Sequence, residues 1–184
     1  MNPLRKLHGH GQSVWLDYIG RELLDGLELR RPIQDDGIMD VTSNPAIFEK
    51  SISQNGYYAA NIVQSSDVPA ATVYEHLARE DIRRAATELY PVYETTRGRD
   101  GYASLEVSPY LAHDTEGTMQ EARRLWAALE QPNAMIKVPA TLVGIAAAET
   151  RIAEGINVNV SLLFSAAAYQ PATNAWLLIR PKCT

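Results

Sequence analysis

Lys137 stands in an otherwise apolar run, Met135-Ile136-Lys137-Val138-Pro139. A lysine among apolar neighbours is stripped of water, and the desolvated free amine is the form that attacks a carbonyl to make a Schiff base. Interruptions of the same kind recur along the chain. Asp17 follows Val14-Trp15-Leu16, Asn44 follows Val41-Thr42-Ser43, Glu106 sits in Ser104-Leu105-Glu106-Val107, and Asn159 and Ser161 punctuate Ile156 to Phe164. Each has a plainer reading when taken alone. A lone lysine at a strand end commonly snorkels to water, Asp17 could cap the next helix, Glu106 could be half of an ion pair, and Asn44 before Pro45 suits a turn. Their recurrence, one polar position per apolar segment, is what points to a site. Charges gathered at one place can pair with each other, which removes the penalty of burying any of them singly.

The segments that would position these residues alternate in type. Ser13 to Ile19 is a short apolar run, and Arg21 to Leu29 then carries leucines at helical spacing, with Leu23, Leu24 and Leu27 on one face. Asp36-Gly37 marks a turn and Ile38 to Thr42 reads as a second strand. Ile47 and Phe48 open a helix after Asn44-Pro45, and Val73 to Tyr93 has the pattern of a long amphipathic helix. Gly98 to Gly101 breaks it, and Tyr102 to Val107 is the third strand. Thr115 to Leu129 is helical, with Glu116 early and Arg123-Arg124 later, as the helix dipole favours. Met135 to Val138 is a fourth strand, Val143 to Glu154 a helix closed by Gly155, and Ile156 to Phe164 a fifth strand. Strands alternating with helices over crossovers of this length make a parallel α/β sheet. A closed (β/α)8 barrel usually needs about 250 residues, more than the 184 present. An open doubly wound sheet fits the length but normally has a glycine-rich phosphate loop after its first strand, where Tyr18-Ile19-Gly20 offers a single glycine.

Four blocks carry a family resemblance: Asp40-Val41-Thr42-Ser43-Asn44-Pro45, Ser104-Leu105-Glu106-Val107-Ser108-Pro109, Met135-Ile136-Lys137-Val138-Pro139-Ala140-Thr141, and Gly155-Ile156-Asn157-Val158-Asn159-Val160-Ser161-Leu162-Leu163-Phe164. In this order and spacing they resemble transaldolase, over roughly residues 12 to 165. Ser13-Val14-Trp15-Leu16-Asp17-Tyr18 and His113-Asp114-Thr115-Glu116-Gly117 are most similar to the bacterial branch that sometimes carries a fused glucose-6-phosphate isomerase domain. The resemblance implies a TIM (β/α)8 barrel that moves a dihydroxyacetone unit from sedoheptulose 7-phosphate to glyceraldehyde 3-phosphate in the pentose phosphate pathway. It implies that Lys137 forms the imine, that Asp17 is the general base in cleavage, and that Glu106 shuttles protons through a water that Ser161 helps to hold. Thr42, Asn44 and Asn159 would line the substrate site. No cofactor and no metal is implied, since the protonated imine is itself the electron sink.

The chain also departs from that pattern. Asp40 stands where the family usually has glycine, so a backbone position suited to glycine carries a side chain. Pro32 falls in a segment the family keeps helical. The resemblance stops near Ser165, which divides the chain into a partial barrel of about five β/α units (residues 1–165) and an aberrant tail (residues 166–184). Pro171 is expected to break the helix that should follow the fifth strand. The expectation is a truncated barrel, lacking the last units and the serine and arginine side chains that hold the substrate phosphate in this family. Two alternatives to transaldolase follow: an inactive fragment, or a related imine-forming fructose-6-phosphate aldolase.

The bulk properties exclude other classes. A net charge of −5 and a pI near 5.4 argue against a nucleic-acid partner, which needs a clustered basic face. No apolar run approaches the roughly 20 residues that span a bilayer, and the start of the chain is no secretory signal. Cys183, the single cysteine, permits no internal disulfide. The expectation is a cytoplasmic protein whose partners are sugar phosphates, with its oligomeric state left open. His8 and His10, at the N-terminus, make a poor metal site, and the Asn159-Val160-Ser161 sequon falls in a strand expected to be buried.

Overall fold

The computed structural model describes residues 2–26, 28–54, 56–65 and 67–178. Leu27, Cys183 and the stretch from Ile179 onward therefore lie outside the described residues. Five parallel strands form one sheet in the order β1-β2-β3-β4-β5, as the alternating pattern predicts. They are β1 (Trp15–Leu16), β2 (Asp40–Thr42), β3 (Ala103–Glu106), β4 (Ala134–Pro139) and β5 (Val158–Ser161). Strand order equal to chain order, with a helix in every crossover, is the winding of a (β/α) barrel and not of a doubly wound sheet, whose order reverses. Among the described residues no helix is long and apolar enough to cross a membrane. The chain divides into two compact units, Met1–Ser104 with Gln131–Ala134, and Leu105–Glu130 with Met135–Thr184.

The first unit opens with helix α1 (Pro3–His8), absent from the sequence reading, whose cap Asn2 accepts from the Leu4 N–H and donates to Asp36. β1 is shorter than its apolar run, because only Trp15 and Leu16 find partners, Asp40 and Val41. Helix α2 (Arg21–Asp25) follows. A π-helical turn, Pro32–Asp36, is then closed by Gly37 in the left-handed conformation. Pro32 opens that turn, where its missing N–H leaves no bond unmade. After β2 come α3 (Pro45–Gln54), a 3-10 turn (Gly56–Tyr58), α4 (Ala59–Gln64) and α5 (Ala70–Thr96). The buried face of α5 runs Leu77, Ala78, Asp81, Ile82, Ala85, Ala86 and Leu89, the stripe of a helix packed on one side.

Gly101, φ 91°, is required by space as well as by backbone, since a Cβ there would lie 2.2 Å from the Tyr93 nitrogen. Its N–H is shared between the Met39 carbonyl and the Asp40 carboxylate, and its carbonyl accepts from the Asn133 amide, which also reaches the Ala86 carbonyl. This corrects the expectation at Asp40. Among the described non-glycine residues only Arg97, Glu130 and Leu162 have positive φ, so Asp40 is an ordinary strand residue. Its side chain fills the space as a bracket, with Oδ1 accepting from Gly101 and Tyr102 at 2.9 and 2.8 Å.

In the second unit, helix α6 (Thr115–Leu129) begins and ends where the sequence predicts, because Asp114 caps it by accepting from the Gly117 N–H at 2.9 Å. Replacing Asp114 by alanine removes that acceptor, and chemical denaturation is expected to show a loss of about 1 kcal/mol. Thr141 caps α7 (Leu142–Ala153) in the same way, through the Gly144 N–H. Fully buried Arg151 of α7 donates to the Met119 carbonyl and to Glu154, which also accepts from Nε and Nη2 of Arg123.

Two expectations are corrected here. Helix α8 (Ala166–Leu178) runs straight through Pro171. Ser165 starts it by accepting from the Ala168 N–H, its opening is alanine-rich, and it packs on α7 with Ala175 buried. Good local propensity and tertiary contact outweigh the one backbone bond that proline removes. β5 is not a buried strand either, for all four of its residues are only half-buried.

Candidate active site

The second unit brings together two of the three charged candidates. Lys137 lies inside β4 between Ile136 and Val138, both fully buried, and Glu106 is the last residue of β3. The Val107 N–H donates to the Lys137 carbonyl at 3.1 Å, which locks the two strands in the register that sets the side chains side by side. Lys137 Nζ lies 3.1 Å from Glu106 Oε2, with side-chain exposures of 10 % and 18 %. An ammonium and a carboxylate so sheltered need one another, since either alone would carry its full desolvation penalty. Chemically the pair sets a lysine nitrogen and a carboxylate at contact distance, each still partly exposed. That is the minimum for carbinolamine formation and dehydration.

β5 adds the polar neighbours. Its register pairs Lys137 with Asn159 and Pro139 with Ser161. Paired residues of parallel strands project to the same side of the sheet, so Asn159 and Ser161 share the face that carries Lys137. Ser161 Oγ approaches the Val138 carbonyl at 3.4 Å.

The remaining candidates lie in the first unit. Asp17 is exposed on the segment that leads from β1 into α2. Thr42 ends β2, is buried, and directs its hydroxyl to the Ser43 carbonyl at 3.2 Å. Asn44 makes the turn its neighbour Pro45 suggests. Its side chain accepts from the Ala46 N–H at 3.1 Å, and its carbonyl takes the first bond of α3, from Phe48. All three sit at or just past the C-terminal end of a strand, the end at which barrel active sites are built.

The sequence reading missed the charged cluster that anchors the start of α2. Arg21 donates to Asp81 (3.2 Å), Asn61 (2.6 Å) and Glu80 (2.6 Å), and its guanidinium lies 4.8 Å from the centre of the Tyr58 ring. Tyr58 donates to Asp81 at 2.7 Å and accepts the Arg21 N–H at 3.0 Å. Burial and the Asp81 carboxylate hold the Tyr58 phenol far above its usual range. One signal was available. Asp81 interrupts the apolar stripe of α5 one turn after Leu77, and an acid on a buried face demands a partner.

Comparison with known proteins fits this geometry. A sequence model of the Transaldolase/Fructose-6-phosphate aldolase family matches residues 14–182, which takes in α8. Curated relatives include transaldolase 2 of Nostoc sp., 44 % identical over 182 residues, which are 98 % of this chain and 47 % of the relative. The transaldolase of Thiobacillus denitrificans is 44 % identical over 179 residues (96 % and 50 %), and that of Thermobifida fusca is 43 % identical over 178 (96 % and 48 %). The chain thus spans about half the length of the relatives it matches. With its parallel β/α winding and a match over nearly its whole length, the chain belongs to the transaldolase/fructose-6-phosphate aldolase family of TIM-barrel proteins, and it carries five of the β/α units.

Proposed function

We propose that this chain carries the imine-forming half of a transaldolase site, with Lys137 as the nucleophile. The observation that supports this most directly is the 3.1 Å approach of Lys137 Nζ to Glu106 Oε2 on neighbouring strands with fully buried flanks. The amine adds to the ketose C2, and loss of water leaves the protonated imine. Glu106 relays the protons of both steps through water. When the C3–C4 bond breaks, its electron pair flows into the imine to give an enamine, and the C4 hydroxyl proton goes to Asp17, assigned as base by the resemblance. The enamine then adds to the aldehyde of glyceraldehyde 3-phosphate, Asp17 returns the proton to the new C4 oxygen, and water hydrolyses the imine, which frees Lys137 and completes transfer of the dihydroxyacetone unit from sedoheptulose 7-phosphate. Thr42, Asn44, Asn159 and Ser161 supply hydroxyl and amide groups for the sugar hydroxyls and the relay water. The chemistry takes its electron sink from the imine and its substrates from the sugar phosphates of the pentose phosphate pathway.

A second reading shares every step up to the enamine. Protonation of the enamine and hydrolysis would release dihydroxyacetone, the outcome of a fructose-6-phosphate aldolase, an activity that the matched family's description also names.

Borohydride reduction in the presence of fructose 6-phosphate tests the common core. The expected result is a covalent adduct of one dihydroxyacetone unit or one hexose phosphate, located on Lys137 by peptide mass spectrometry and absent from Lys137→Ala. A folded sample without an adduct, or with one on another lysine, sinks the proposal. Dihydroxyacetone released in the absence of an acceptor aldehyde would select the aldolase reading.

A further inference from the structure

Three helices of the first unit turn side chains toward one space and do not fill it. On α3, Glu49, Ile52 and Ser53 stand at the spacing of a single helix face. On α5, Val73, Tyr74 and Leu77 form an apolar stripe at the same spacing. Ile62 of α4 closes a third side. The space between them measures about 360 Å³. Every residue that lines it belongs to the first unit, and none is assigned to the imine chemistry. Protein interiors leave few voids larger than a water molecule. A dry apolar cavity of about 150 Å³ already takes up benzene, and ligand pockets begin at about 300 Å³. The Tyr74 ring is held edge-on against Phe48, with centroids 5.5 Å apart, so one wall is a fixed aromatic face. Ile62 and Val68, 42 % and 43 % exposed, mark the open side.

We propose that the space between α3, α4 and α5 binds a small primary amine with an aromatic body, its ring against Tyr74 and Leu77 and its ammonium at Glu49. The polar groups of the lining choose this occupant. Glu49 is the single charged residue among the described ones that line the space. Ser53 gives its hydroxyl proton to the Lys50 carbonyl at 3.2 Å, so its oxygen is left to accept. A carboxylate and a hydroxyl oxygen that both accept call for a donor with positive charge, and an ammonium brings three N–H groups. The apolar remainder of the lining rewards a body without polar atoms, and the Tyr74 face favours one with a ring.

The test is titration of the full 184-residue chain, labelled with nitrogen-15, with tryptamine while amide shifts are followed by NMR. Indole, which has the ring without the ammonium, and indole-3-acetate, which has the opposite charge, are the comparisons. Saturable one-to-one binding of tryptamine is expected, with shift changes centred on α3, α4 and the start of α5. Tryptamine should bind about three-fold tighter than indole, the scale of an exposed ion pair, and indole-3-acetate weakest of the three. Glu49→Gln should bring tryptamine down to the affinity of indole. Ala70→Trp, at an exposed lining position on α5, sets an indole in the space and should weaken tryptamine about ten-fold or more. Because Ala70 is exposed, circular dichroism of that variant should match the parent. Absence of binding at millimolar tryptamine, binding indifferent to Ala70→Trp, or equal affinity for the three probes would each overturn the proposal. So would self-association of the chain that Ala70→Trp abolishes, since a second copy would then be the occupant.

Discussion

Replacing Arg21 by methionine is expected to destabilise the protein by about 3–5 kcal/mol at neutral pH, the usual consequence of removing one partner from a buried ion pair. Arg21 touches Asp81, Asn61 and Glu80 through different nitrogens, and Asp81 is wholly buried. In the variant Asp81 keeps the Tyr58 hydroxyl alone. Burial already raises the Asp81 carboxyl above its ordinary range, against the lowering effect of Tyr58 and Arg21. Losing Arg21 removes one of the three groups, with Tyr58 and Arg84, that hold the carboxylate ionised, so its titration moves further up. The destabilisation is therefore greatest at neutral pH and shrinks as the pH falls and Asp81 takes up a proton. Urea denaturation at several pH values reads this directly. Adding Asp81→Leu to Arg21→Met should restore much of the loss, because the uncompensated charge goes with it. A double variant no more stable than the single one would show that the deficit lies in packing.

Asp40→Asn is expected to act in the opposite direction. The Asp40 carboxyl is raised from 3.8 to about 6, chiefly by burial and in part by the nearby Asp100 charge, while the Tyr102 and Gly101 N–H groups and Ser13 pull the other way. Ser13 itself donates to Asp100, and Asp40 Oδ2 is buried without a hydrogen-bond partner. A carboxyl raised on folding resists ionisation in the native state. Below about pH 4 it is protonated in both states and contributes no penalty. Between roughly pH 4 and 6 a penalty grows, reaching about 3 kcal/mol at 1.36 kcal/mol per unit. Asparagine mimics the protonated acid, keeping the acceptor for Gly101 and Tyr102 without the charge. The variant should match the parent at pH 4 and exceed it by about 2–3 kcal/mol at pH 7.5. Equal stabilities at both pH values would show that Asp40 ionises without penalty.

How far the sequence revealed this protein depended on the range over which each feature is determined. α6 was legible to the residue because its cap, Asp114, and its periodic face lie within one segment. The long α5 was legible for the same reason, although its ends ran three residues further than the pattern on each side. β1 was overdrawn, since an apolar run does not say where a ladder stops, and only two of its residues pair. Pro171 misled because a helix propensity is a weak prior that packing against α7 overrides. In the site, the recurrence of polar residues was visible. The Lys137–Glu106 contact was not, because it requires the register of two strands separated by α6. The Arg21 cluster was invisible for a similar reason, its partners Tyr58 and Asp81 lying 37 and 60 residues away. Asp40 was misread because the family pattern supplies glycine there without saying what could occupy the space instead.

The doubly accepted amide of Gly101 also has a use as a reporter. Its hydrogen is held between the Met39 carbonyl and the Asp40 carboxylate, and its carbonyl is tied to Asn133. A hydrogen so enclosed exchanges with solvent only when the surrounding structure opens. Its exchange rate therefore records the opening free energy of the first unit at a single backbone site.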